Sequence, residues 1–230
     1  MNLSELYTSI QGEGPRVGQP VQFMRFAGCN LRCPSWPCDT QHAIDPERYR
    51  HEWERINPLE LASRVPQYPK RIVYTGGEPF LQPKPELMEL TEILLSRGYT
   101  IEAFTNGTLR WPRWTRGGNI SMVMDWKLPG SGEKTTTPIR DVNLASMTHH
   151  DSIKFTIAAW EDFKLAISLW HNFMTRLAPD TEDMPEVYCG VVWGQVKEAE
   201  LADWLMAAQL PWIFNTQVHN YIWPRDQRGT

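Results

Sequence analysis

The sequence predicts an α/β fold built on a mostly parallel sheet. Three observations predict it: short apolar, β-rich runs recur along the whole chain, helical periodicity fills several of the intervals, and few tight hairpin signals join the runs. The expected strands are residues 21–26, 72–75, 99–104, 120–124, 152–157, 187–193 and 212–215. Several are almost unbroken apolar runs, which suits strands covered on both faces or the staves of a barrel.

The helices follow from spacing. Leu87, Leu90 and Leu94 fall at i, i+3 and i+7, with Gly98 as a stop signal. Phe163, Ile167 and Trp170 repeat the pattern within 159–177, and Leu201, Trp204, Leu205 and Ala208 do so within 197–209. Gly/Pro-rich links at 129–132 and 179–185 are too short to demand a second domain, so one domain over 1–230 is expected. Segment 39–69 is polar and Arg-rich and reads as an insertion or elaborated loop. In such folds chemistry gathers at the carboxyl ends of the strands.

Composition excludes several classes. With 23 Lys plus Arg against 27 Asp plus Glu, the net charge is −4, which argues against a dedicated nucleic-acid binder. The 41% apolar and 22% charged residues argue against disorder. No apolar run is long enough for a membrane span. The first residues are mixed and polar, with Gln11, Glu13 and Arg16, unlike a signal peptide. A reducing, cytoplasmic setting is expected, with no membrane and no direct nucleic-acid partner. The 11 tryptophans are expected as core or lining rings.

Chemistry concentrates after the first expected strand. Cys29, Cys33 and Cys38 fall on one short loop, Cys29-Asn30-Leu31-Arg32-Cys33-Pro34-Ser35-Trp36-Pro37-Cys38-Asp39-Thr40. In a reducing compartment such a cluster points to a metal or redox site rather than a disulfide framework. Three inert buried thiols are one reading. A zinc tetrahedron of Cys29, Cys33, Cys38 and His42 is another. An iron–sulfur cluster is the third; with three protein thiolates, a four-iron cluster keeps one iron open for a ligand. Cys189 lies in an apolar run and reads as a small buried hydrophobe. After the second strand comes Thr75-Gly76-Gly77-Glu78-Pro79. Its two glycines permit close approach to the backbone.

The cysteine triplet followed by Thr-Gly-Gly-Glu-Pro resembles the radical S-adenosylmethionine superfamily. The resemblance implies an incomplete (β/α)6 barrel carrying a 4Fe-4S cluster on Cys29, Cys33 and Cys38. It also implies S-adenosylmethionine bound by Gly76, Gly77 and Glu78. The gaps here are three and then four residues, against three and then two in most of the superfamily.

The N-terminal Tyr7-Thr8-Ser9-Ile10-Gln11-Gly12-Glu13-Gly14, Arg25, Asp39-Thr40 and the late Thr216-Gln217-Val218-His219-Asn220-Tyr221 narrow the likeness. Together they resemble the 7-carboxy-7-deazaguanine synthase family, over about residues 4–223. Arg25 suits a carboxylate through its planar fork of donors, and Gln11 with Glu13 can read a heterocycle edge. By resemblance, Ile10, Gln11, Gly12, Glu13, Arg25, Thr75 and His219 bind a small pterin, 6-carboxy-5,6,7,8-tetrahydropterin. The resemblance likewise implies that Thr40 binds Mg²⁺ and that Asp125, Trp126 and Lys127 touch S-adenosylmethionine. At Thr40 an N-cap role is the plain alternative, at Lys127 a solvated charge, and at His219 a packing role.

The reaction so implied is a ring contraction with loss of ammonia, started by a radical that takes hydrogen from C6. It belongs to 7-deazapurine biosynthesis, such as that of queuosine, and its product can serve a tRNA base, a DNA modification or a small metabolite. It needs an unidentified electron donor, a homodimer is implied, and no catalytic base is nominated because the cofactor carries the chemistry. Phe104, Gly190-Val191 and Asn220 stand where related chains often carry Glu, Gln-Pro and Lys. A different radical enzyme, such as a glycyl-radical activase, and a zinc-stabilised binding module remain the alternatives.

Overall fold

A computed structural model describes residues 1–36, 38–116, 118–134, 136–176, 183–224 and 227–230. Residue 37 of the longer cysteine gap, residue 177 of the second expected helical segment and residues 179–182 of the expected link lie outside them. The strands are β1 (Asn2–Ile10), β2 (Pro20–Phe26), β3 (Glu54–Arg55), β4 (Arg71–Gly76), β5 (Thr100–Thr105), β6 (Ser121–Asp125), β7 (Ser152–Ile157), β8 (Glu186–Val191) and β9 (Ile213–Phe214). All nine lie in one sheet, ordered β3-β1-β2-β4-β5-β6-β7-β8-β9. From β2 through β4 to β9 every neighbouring pair is parallel. β1 runs antiparallel to both β2 and β3. Among the described residues the end strands do not pair with each other, so the sheet stays open.

The helices are α1 (Gln41–Ile44), α2 (Pro46–Tyr49), α3 (Pro58–Arg64), α4 (Lys84–Ser96), α5 (Pro138–Leu144), α6 (Trp160–Arg176), α7 (Glu198–Ala208) and α8 (His219–Ile222). α4 buries Leu87, Leu90, Thr91 and Leu94 along one face, and Gly98 with φ +77° ends the turn. α6 buries Phe163, Ala166, Trp170 and Phe173. Its Asp162 carboxylate accepts from the N–H groups of Ala158 and Gly130, tying the helix start to the loop after β6. Trp126, Phe155 and Trp212 stack in series at 5.6 and 5.4 Å, so three large rings fill one part of the core.

All seven expected strands are present, shifted at their ends by one or two residues. Two expectations are corrected. β1 was not expected as a strand, because it lacks a clean apolar alternation. Its residues are mostly half-buried, and Glu5, Tyr7 and Ile10 face a cavity rather than core. Segment 39–69 is not simply a loop but holds α1, α2, β3 and α3. Asp45 accepts from the backbone N–H of Glu47 and Arg48, and Asn57 from that of Glu60. Pro46 and Pro58 occupy the first helical positions behind these caps.

Candidate active site

The carboxyl ends of the parallel strands open into a cavity of about 500 Å³. Each wall has a separate origin. β1 supplies Glu5 and Tyr7, β2 supplies Phe23 and Arg25, and the loop after β2 supplies Cys29, Cys33 and Cys38. β4 adds Val73, Thr75 and Gly76, while β6 and β7 add Asp125, Lys154 and Thr156. Val191, Val192 and Trp193 come from the end of β8, and Gln217, His219 and Asn220 from the segment around α8.

The cysteine loop and the Thr-Gly-Gly-Glu-Pro turn are built against each other. The N–H of Gly77 donates to the carbonyl of Phe26 at 3.0 Å, and that of Glu78 to the carbonyl of Gly28 at 2.8 Å. A β-carbon on Gly76 would strike the Phe26 carbonyl, and one on Gly77 the Gly28 carbonyl. Both glycines therefore serve the close approach of two strand exits, and both still line the cavity. Burial pushes the Cys33 thiol up to about 11 and raises that of Cys29, while the Lys127 ammonium acts in the opposite sense on both. Thiolates here need positive charge beside them, which Lys127 and bound iron can supply.

Arg25 lies on the cavity wall, held by its neighbours. Its Nε donates to Glu5 Oε2 at 2.8 Å and one Nη2 hydrogen to Tyr7 Oη at 2.8 Å. Its Nη1 has no partner among the described residues. Glu5 also meets His42 Nε2 at 2.9 Å. Burial raises the Glu5 pKa, but His42 and Arg25 outweigh it and hold the carboxyl below its ordinary value. His42 is thus committed to Glu5. Among the described residues no group of three or more His, Cys, Asp or Glu is arranged around a single ion. The Cys₃His zinc tetrahedron is not assembled. A four-iron cube distributes its thiolates over separate irons and does not require that compact geometry.

Tyr7, Phe23, Val73 and Phe104 form an apolar patch on the cavity wall, with the rings of Tyr7 and Phe23 stacked at 5.0 Å. Beside it the Gln11 carboxamide, almost fully buried, donates from Nε2 to Glu102 Oε2 at 3.3 Å. Glu13 accepts from Lys154 Nζ at 2.7 Å. Lys154 also reaches Asp125 Oδ2 at 3.4 Å, and Lys127 Nζ donates to the same oxygen at 2.9 Å. Lys127 further sits 4.5 Å above the Trp36 ring, inside the cysteine loop. Thr40 precedes α1, but its hydroxyl makes no capping bond. It lies 3.4 Å from Cys38 Sγ and donates to the Gly76 carbonyl at 3.4 Å.

Most expected site residues line this one cavity: Ile10, Gln11, Gly12, Glu13, Arg25, the three cysteines, Thr40, Thr75, Gly76, Gly77, Asp125, Lys127 and His219. Two do not. The Glu78 carboxylate is fully buried and accepts from the Thr105 hydroxyl at 2.8 Å and from the backbone N–H of Asn106 and Phe80 at 2.8 and 3.1 Å. It braces β4 against β5 instead of facing a ligand. Trp126 turns into the core against Phe155. Cys189 is fully buried in β8, as its apolar run implies. Lys154 was missed, although a lysine inside an otherwise apolar strand is a legible signal.

Iron–sulfur and S-adenosylmethionine ligands can be tested against the walls. Three thiols on one loop suit a cluster with one open iron. Asp125 Oδ1 is buried without a hydrogen-bond partner among the described residues, an orphan acceptor suited to a donor on a bound ligand. Trp36 Nε1 is a second buried orphan, a donor. The residues fit.

The chain is similar to a set of curated proteins. It is 32% identical over 224 residues to the 7-carboxy-7-deazaguanine synthase of Methanospirillum hungatei, spanning 96% of this chain and 85% of that one. It is 31% identical over 229 residues to the protein of that name from Clostridium acetobutylicum, spanning 98% and 97%, and 30% identical over 244 residues to that from Koribacter versatilis, spanning all of both. The crystal structure of QueE from Escherichia coli superposes with a TM-score of 0.72 at 21% identity, covering 95% of this chain and 94% of that one. Streptococcus suis SuiB bound to S-adenosylmethionine superposes at 0.52 and 13% identity over 84% of this chain and 51% of that one. These two show a shared fold. No protein-family model matches the chain.

Proposed function

The chain belongs to the 7-carboxy-7-deazaguanine synthase family, and from that premise we propose how its cavity performs the family's reaction. It is a radical S-adenosylmethionine enzyme of 7-deazapurine biosynthesis, converting 6-carboxy-5,6,7,8-tetrahydropterin to 7-carboxy-7-deazaguanine with loss of ammonia. The observation that carries the site assignment is the convergence of the three-cysteine loop, Arg25 and the Gln11–Glu13 turn on one cavity. The whole chain is read as a single domain.

Cys29, Cys33 and Cys38 hold the 4Fe-4S cluster, while Gly76, Gly77, Asp125 and Lys127 hold S-adenosylmethionine beside it. When bound, these two groups supply the electron and the radical chemistry. The remaining residues bind and orient. The Tyr7–Phe23–Phe104 patch takes the flat face of the heterocycle. Gln11 and Glu13 meet its edge, with Thr75 and His219 alongside, and Arg25 offers Nη1 to its carboxylate. Glu5 and Tyr7 fix the plane of that guanidinium, so little ordering is left for the moment of binding. Thr40 supplies a hard oxygen next to the cysteine loop for Mg²⁺. An external electron donor and a homodimer complete the reading. No helix among the described residues is long and apolar enough to cross a membrane.

The test is direct. The anaerobically reconstituted protein is incubated with S-adenosylmethionine, reductant and the carboxylated tetrahydropterin, and mass spectrometry follows the deazapurine and released ammonia. Cleavage of S-adenosylmethionine without any deazapurine would overturn the substrate assignment.

A further inference from the structure

An unbroken chain of charged contacts crosses the cavity wall. It runs from Glu13 in the β1–β2 turn to Lys154 on β7, on to Asp125 at the end of β6, then to Lys127 and the Trp36 ring of the cysteine loop. Two carboxylates and two ammonium groups balance, so the set is neutral. Lys154 is the only member that touches both sides. Its Nζ stands 2.7 Å from Glu13 Oε1 and 3.4 Å from Asp125 Oδ2, and its side chain is only 8% exposed.

We infer that Lys154 is a positioning residue that couples substrate binding at Glu13 to S-adenosylmethionine binding at Asp125. This rests on the site assignments made above. The two contacts are unequal, and both carboxylates draw on one ammonium. A substrate N–H that engages Glu13 weakens its hold on Lys154, and the ammonium closes the longer gap to Asp125. Asp125 is then held at Oδ2 by both Lys127 and Lys154, with its orphan Oδ1 presented to the cofactor. Ordering needed for the second ligand has already been done by the first, so each tightens the other. The charge on Lys154 is secure. Burial alone would lower its pKa, but Glu13 and Asp125 raise it above the ordinary lysine value, with Asp39 adding to them. The remaining charges facing Asp125 are Lys127 and, more remotely, Arg140.

The experiment measures equilibrium binding of S-adenosylmethionine to the cluster-loaded enzyme without reductant, with and without saturating 6-carboxy-5,6,7,8-tetrahydropterin. The wild-type protein is expected to bind about tenfold more tightly with the pterin present. Lys154→Met is expected to reduce that ratio to about one, with cluster absorption unchanged, and Lys154→Arg to restore most of it. If Lys154→Met does not fold, Glu13→Gln removes one arm of the bridge and is expected to reduce the ratio in the same way. A ratio of one in the wild type, or a wild-type ratio in Lys154→Met or Glu13→Gln, overturns the coupling. Failure of the wild type to bind either ligand overturns the functional reading itself.

Discussion

Gly12 lies directly beneath the imidazole of His219, so closely that a β-carbon at residue 12 would overlap Nδ1. The contact joins residues far apart in sequence, the turn after β1 and the first residue of α8. It is reinforced by the N–H of Val218 donating to the Gly12 carbonyl at 2.9 Å and that of Gly14 to Asn215 Oδ1 at 2.8 Å. Residues 217–220 therefore close one side of the cavity by resting on the N-terminal turn.

Gly12→Ala is accordingly expected to push His219 off its seat and loosen this wall. The pterin KM should rise about tenfold, a loss of about 1.4 kcal/mol of binding, while cluster absorption stays as in the wild type. Steady-state kinetics with a visible spectrum check both. An unchanged KM would remove His219 and the turn from substrate binding.

The cysteine loop gives a sharper outcome. Cys33→Ala, Cys29→Ala and Cys38→Ala should each abolish the brown iron–sulfur absorption and turnover together, whereas Cys189→Ala should leave both intact because Cys189 is buried away from the cavity. Iron and sulfide counts after anaerobic reconstitution check this. Retention of a full cluster in Cys33→Ala would contradict the ligand set.

Arg25→Ala should leave the cluster in place and weaken pterin binding at least tenfold. It also strips Glu5 of its guanidinium partner, leaving the His42 ring. Breaking a largely buried pair costs about 3 kcal/mol, so the denaturation midpoint should fall as well. A bleached Arg25→Ala protein would assign Arg25 to the cluster instead of the substrate.

Glu102 makes the pH dependence testable. Burial pushes its carboxyl up to about 7, against the lowering effects of Gln11, Arg16 and Arg71. A carboxyl raised in the folded state binds its proton more tightly there than in the unfolded chain. Its contribution is fully present below the unfolded pKa of about 4.5 and is lost as pH climbs through about 7. The wild type should lose up to about 3 kcal/mol between pH 4.5 and 8 from this group. Glu102→Gln should flatten that slope, as denaturant titrations at pH 5 and pH 8 would show. Equal slopes would mean Glu102 titrates as an ordinary carboxylate.

The alternating pattern of strands and helices, the seven parallel strands and the position of the chemistry at their carboxyl ends were all legible in the sequence. Apolar runs and 3.6-residue spacing report burial locally, and the cysteine triplet and Gly-Gly turn are contiguous. β1 was not legible, because Glu5 and Tyr7 are polar for the sake of the cavity and break the alternation a half-buried strand normally shows. Tertiary structure alone settled which residues meet. Glu78 lies just past the end of β4 and Asp125 ends β6, and both carry a carboxylate, yet Thr105, Asn106 and Phe80 saturate the first while the second keeps an orphan oxygen. Lys154 joins Glu13 to Asp125 only because β7 lies next to β6 and the β1–β2 turn folds over its end. Periodicity fixes which side of an element is buried, but the partners of a buried charge depend on contacts between segments distant in sequence, and those exist only once the sheet has formed.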